Sequence, residues 1–179
     1  MNDKKAQTRE RILQAASNAL IQRGPVEPSV SEVMGAAGLT VGGFYAHFES
    51  KDALMLEAFK QLLALRRAKM GEVDSELPGE ERRALFAAFY LSRKHRDAVQ
   101  QACPIPSIVG EMCNLPEPFR QALNEHVELM VAQMVASPED TDKALADIAL
   151  MVGGLAVARA LGPGELSDRL LRAAKTAVI

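Results

Sequence analysis

Only two cysteines, Cys103 and Cys113, occur in these 179 residues, which excludes a disulfide framework as the basis of the fold. Neither has a cationic neighbour in sequence to activate it, so both read as small hydrophobes rather than redox sensors. No uninterrupted apolar run reaches the length of a bilayer span, and the opening MNDKKAQTRER lacks the apolar core of a secretory signal. A cytoplasmic protein with no membrane partner is therefore expected. An excess of one charge is missing too: 21 Lys and Arg meet 23 Asp and Glu, a net of −2. That balance excludes a protein that coats nucleic acid by bulk charge. His95, His126, Glu111, Glu125 and Glu128 fall at no spacing that pairs metal ligands on a helix. No nucleophile stands beside an acid–base partner either. No metal, no cofactor and no enzyme activity are expected. Internal repeats, low-complexity stretches and strand patterns are also lacking.

What is present is helical periodicity, in a chain that is 48% hydrophobic. The sequence reads as all-α, and its most informative stretch is SVSEVMGAAGLTVGGFYAHF, residues 29–48. Ser29 and Glu32 have the spacing of a capping box. Val30, Val33, Met34 and Ala37 then mark one buried stripe. Gly38 ends the helix where a positive φ is needed. Leu39 fills the corner, and Thr40 is placed to cap a second helix over 41–48. Two short helices across a glycine turn make a helix-turn-helix, whose second helix enters a DNA major groove. A first helix over 7–23 buries Ile12, Leu13, Ala16, Leu20 and Ile21, which completes a three-helix head. Residues 1–48 hold five Lys or Arg against four acids, and the remainder holds 16 against 19. DNA affinity must then rest on a few positioned contacts, with Lys4, Lys5, Arg9 and Arg11 as a basic arm.

The run Gly38-Leu39-Thr40-Val41-Gly42-Gly43-Phe44-Tyr45-Ala46-His47-Phe48, followed by Ser50, Lys51 and Leu54, resembles the DNA-binding signature of TetR-family transcriptional repressors. The likeness extends upstream to Thr8-Arg9-Glu10-Arg11-Ile12-Leu13. It implies a helix-turn-helix domain over 1–48 and a helical ligand-binding and dimerisation domain over 49–179. Tyr45, His47 and Lys51 are expected to touch phosphates, since a phenol and an imidazole on an apolar helix need polar partners. Thr40, Val41, Gly42 and Gly43 open the recognition helix, where Val41 meets a thymine methyl and the glycines allow close approach to the groove. Phe44 and Phe48, four residues apart, belong to the core.

Beyond the head, helices are expected over 50–70, 80–101, 117–137, 139–161 and from 165 onward, with a short segment at 107–114. The charged run Arg93 to Asp97 reads as a solvated helix face. Phe86, Phe89, Tyr90, Met112, Phe119, Met130 and Met134 fall on three body segments; individually each suits a plain core. The family resemblance implies instead that they line a pocket for a small apolar or aromatic effector. Leu145, Ile148, Val152 and Leu155, with Leu166, Leu170, Ala173 and Ala177, give the two C-terminal helices apolar faces suited to a homodimer interface. The function implied is a ligand-responsive repressor that binds a near-palindromic double-stranded DNA operator as a homodimer and is released by its inducer. The rival is a small-molecule-binding helical protein that does not bind an operator.

Overall fold

The computed structural model describes residues 2–98 and 102–178. Every regular element among them is a helix: α1 (Asn2–Arg23), α2 (Val30–Ala36), a 3-10 segment (Val41–Ala46), α3 (Lys51–Met70), α4 (Gly79–Tyr90), α5 (Arg93–Arg96), α6 (Ile105–Ile108), α7 (Glu117–Met134), α8 (Thr141–Leu161) and α9 (Glu165–Ala177), with further 3-10 turns at Met112–Asn114 and Pro138–Asp140. The chain forms two compact units, one of residues 1–64 with 99–122 and one of 65–98 with 123–179. Helices α3 and α7 thus contribute residues to both.

In the first unit, the five apolar residues expected inside α1 are all buried, with Val33 and Met34 of α2, and Leu54, Met55, Phe59, Leu62 and Leu63 of α3. Ser50 starts α3 by accepting the Ala53 amide at 3.0 Å. Helix α1 begins at Asn2 rather than residue 7, so Lys4 and Lys5 lie on a helix and not in a tail. In the same unit the Ser107 hydroxyl donates to the Ile21 carbonyl at 2.6 Å, which satisfies an orphan acceptor in the last turn of α1. Cys103 is buried and Cys113 is exposed.

In the second unit, α8 packs against α9 and α4. The helix expected over 80–101 instead stops at Tyr90 and restarts as α5 after Ser92, whose hydroxyl caps the His95 amide. Of the charged run expected as a solvated face, Arg93, Lys94 and Asp97 are exposed, but His95 and Arg96 are buried. Arg96 is buried and donates to Asp97, Ser167 and Asp168, which ties α5 to the start of α9. Helix α4 also turns its charges inward. Arg82 and Arg83 are buried while Leu85 and Phe89 are exposed. Arg82 donates to the Gln133 carbonyl at the end of α7, and Arg83 lies 3.1 Å from the Asp147 carboxylate of α8. Desolvation still pushes the Asp147 carboxyl up from its ordinary range, against the pull of Arg83.

The stretch Pro138–Leu161 is long and apolar enough to cross a membrane by length and composition, with a mean hydropathy of 1.8. Its apolar pattern is interrupted by Asp142, Lys143, Asp147 and Arg159. Close to half of it is buried within the protein.

Candidate nucleic-acid interface

The helix-turn-helix is built from its caps outward. The Ser29 hydroxyl accepts the Glu32 amide at 3.2 Å, and the Glu32 carboxylate accepts the Ser29 amide at 2.8 Å. The Ser29 amide, Arg23 and the Ser29 hydroxyl together hold the Glu32 carboxyl down to about 2, so the box stays intact at any working pH. At the other end of α2, Leu39 donates to the Met34 carbonyl and Gly38 to the Gly35 carbonyl, both at 2.9 Å. That is a Schellman stop with Gly38 at φ +68°. Gly38→Ala should cost about 1–2 kcal/mol, because an L residue is strained there. A denaturant midpoint unchanged by this substitution would show the turn to be less constrained than its φ implies.

The second helix of the motif is a 3-10 segment, not the expected α-helix over 41–48. Two adjacent glycines in six residues weaken an α-helix by about 1 kcal/mol each relative to alanine. Thr40 precedes the segment, but its hydroxyl makes no capping bond. Phe44 and Phe48 are buried, with ring centroids 6.0 Å apart, and they pin the segment from beneath. Its other side is open. Tyr45 is 75% exposed and Val41 44%, and Thr40, Gly42 and Gly43 are exposed beside them. A Cβ on Gly42 would meet nothing, and one on Gly43 would meet only a Met34 methyl at 4.0 Å. Packing inside the chain therefore does not demand glycine at either position.

His47 is half-buried, and its Nδ1 is buried without a hydrogen-bond partner among the described residues. The Lys51 ammonium donates to the Val26 carbonyl at 2.6 Å, which fixes it at the start of α3 while leaving two of its donors unspent. The structure changes the reading of the basic arm. Arg9 makes a two-pronged pair with Glu57 at 2.5 Å and lies 4.6 Å over the Phe48 ring. Arg11 donates to the Ala37 carbonyl at 2.6 Å. Both arginines brace the motif from within the head, and only Lys4 and Lys5 of the expected arm remain as exposed, uncommitted cations. Sequence spacing gave no sign of the Arg9–Glu57 pair, whose members are 48 residues apart.

The residues expected to line an effector pocket are distributed over both units. Met112 and Phe119 belong to the first, where Phe119 stacks on Phe59 at 5.9 Å. Phe86, Phe89, Tyr90, Met130 and Met134 belong to the second. All are buried except Phe89, which is 49% exposed. Phe86 and Phe89 come together in a groove of about 330 Å³ with Met70, Val73 and Leu85. His95 and His126 are buried; His95 Nδ1 lies 2.8 Å from the Tyr90 carbonyl and His126 Nδ1 3.3 Å from Arg67.

Residues 12–58 match the family model of bacterial regulatory proteins, tetR family. Over 161 residues, 87% of this chain, the sequence is 26% identical to the uncharacterized HTH-type transcriptional regulator YerO of Bacillus subtilis and covers 54% of that protein. The chain thus spans about half of YerO's length. It is 24% identical over 135 residues to the HTH-type transcriptional repressor NemR of Escherichia coli, covering 74% of this chain and 68% of NemR. In structure it is similar to the reduced form of E. coli NemR, with a TM-score of 0.80, 21% identity and coverage of 96% and 95% of the two chains. A TetR transcriptional regulator from Chloroflexus aurantiacus aligns at a TM-score of 0.77 with 26% identity, over 98% and 94%. These relatives are transcriptional regulators built from an N-terminal helix-turn-helix and a helical C-terminal domain.

Proposed function

We propose that this chain, whose residues 12–58 match the model of bacterial regulatory proteins, tetR family, is a TetR-family regulator: a cytoplasmic, ligand-responsive repressor that binds a near-palindromic operator as a homodimer. It has no catalytic role in this reading. The observation that carries the DNA-binding part is the recognition segment itself. A rigid floor of Phe44 and Phe48 presents Thr40, Val41, Gly42, Gly43 and Tyr45 to solvent, and its two glycines have no packing reason inside the chain. Backbone approach to a groove supplies that reason. Tyr45, His47 and Lys51 then fix the register through phosphates.

The dimer is proposed to form through α8 and α9. Leu145, Ala149, Gly153, Val157 and Leu161 recur every four residues on α8, and all five are exposed. Such an i, i+4 ridge is what a second helix packs across, and a Cβ on Gly153 would meet nothing in the chain itself. On α9, Leu166, Ala173 and Ala177 are also outward. Ile148 and Leu155 do not belong to this face: they are buried inside the second unit. An effector held by the second unit would act through α3, whose residues 51–64 and 65–70 belong to different units.

DNA from upstream of the protein's own gene, titrated by fluorescence anisotropy, tests the head. Tyr45→Phe should weaken binding without lowering thermal stability, and Lys51→Ala should weaken it while costing at most about 1 kcal/mol for the lost bond to the Val26 carbonyl. The lysine variant should also flatten the salt dependence by roughly one unit of slope, the share of a single phosphate. Affinity and slope unchanged in both variants would mean that these residues do not face DNA.

A further inference from the structure

Within the second unit, Arg66 is 5% exposed, yet its guanidinium makes no hydrogen bond or ion pair among the described residues. The Phe89 ring centroid lies 5.0 Å from its guanidinium carbon. Its nitrogens are not among the fully buried, unpartnered polar atoms, so they stay open to solvent and to an incoming acceptor. Stacking occupies only the face of the group and leaves the N–H donors around its edge unspent. The charges that depress the two neighbouring histidines are cationic. His95 is held down at about 3 by burial, then by Arg66, Arg159 and Lys69, and His126 at about 4 by burial, then by Arg67 and Arg66. Both rings are therefore neutral at ordinary pH.

Phe89 joins this cation to a cavity. The groove of about 330 Å³ is lined by Lys69 and Met70 at the end of α3, by Val73 in the loop beyond it, and by Leu85, Phe86 and Phe89 from α4. Arg66 lies three and four residues before Lys69 and Met70, hence one helical turn along the same wall. Glu72 and Asp74 also line the groove, from the exposed loop after α3, where Asp74 accepts the Glu76 amide at 2.9 Å. A volume of this order suits a small ligand.

We propose that this groove takes an organic carboxylate, its apolar body along Met70, Val73, Leu85 and Phe86 and its oxygens on the edge of the Arg66 guanidinium beside Phe89. The proposal rests on the reading of the second unit as the effector-binding part and names the effector's chemical class. It replaces a purely apolar or aromatic ligand with an amphipathic anion.

The test uses two acids and their neutral isosteres, octanoate with octanamide and cinnamate with cinnamamide, at millimolar concentration in thermal-shift and calorimetric titrations. At least one acid should raise the melting temperature by mass action and bind roughly 10- to 100-fold more tightly than its amide, the range expected of a charge-assisted bond. Arg66→Met should abolish that preference, and Arg66→Lys should keep part of it. Equal binding of acid and amide, no binding of either acid, or a preference that survives Arg66→Met would each overturn the proposal. The acid and amide comparison on the parent protein decides the matter even if Arg66→Met does not fold. Operator binding without ligand is measured in parallel. Its failure alongside an Arg66-dependent acid preference would remove the repressor reading and leave this site standing.

Discussion

Val157→Glu should give a folded monomer that has lost the operator, whereas Leu155→Glu, two residues away, should not fold at all. Val157 is 51% exposed on the outer ridge of α8, and Leu155 is fully buried inside the second unit. A carboxylate at Val157 sits in water while the protein is monomeric. In the proposed dimer it would be buried in an apolar interface, at several kcal/mol unless the subunits part. Because half-sites are read together, operator affinity should fall with the dimer. The same carboxylate at Leu155 has no escape short of unfolding, and its desolvation is comparable with the ~5–15 kcal/mol that holds a domain together. Sedimentation and circular dichroism on both variants separate the outcomes. A Val157→Glu protein that stays dimeric and keeps its affinity would put the interface elsewhere.

Acid should destabilise the protein steeply, starting well above the range in which carboxylates titrate. His95 and His126 titrate at about 3 and about 4 in the folded state, lowered first by burial and then by neighbouring cations. In the unfolded chain both return to the ordinary value near ~6.5. Between those limits the unfolded state binds protons that the folded state refuses, so stability is full above ~6.5 and falls as pH drops. Each histidine contributes about 1.4 kcal/mol per pH unit to this slope, or ~3 kcal/mol per unit for the pair. Asp147 works the other way: its raised pKa favours the folded state as pH approaches the carboxylate range. Urea denaturation at neutral pH and near pH ~5 should show the loss, and His126→Gln should remove about half of the slope. A stability that is flat over this interval would contradict the burial of two neutral imidazoles.

How much of the molecule is legible in its sequence differs from element to element. The capping box at Ser29 and Glu32 and the stop at Gly38 arise from contacts within a few residues, and the structure has both. Local chemistry fixes such features wherever the rest of the chain goes. The 3-10 form of the recognition segment was also present in principle, in the helix cost of Gly42 and Gly43.

Helix α4 and the charged run beyond it were not legible. Hydrophobicity alone would bury Leu85 and Phe89 and expose Arg82, Arg83 and Arg96, and the structure does the reverse. The acceptors that permit it come from far along the chain: the Gln133 carbonyl, Asp147 and Asp168. The apolar stripe assigned to α8 divided for the same reason. Its spacing marks a helix with two apolar sides, but only packing against α4 and α9 decides that Ile148 and Leu155 face inward. Sequence by itself determined the helical class and the shape of the DNA-binding head, because these rest on bonds between near neighbours. Tertiary structure alone decided which arginines are buried, which face of α8 remains open and where an unpaired cation meets a groove. A buried charge or a shared face depends on partners that only folding brings within reach.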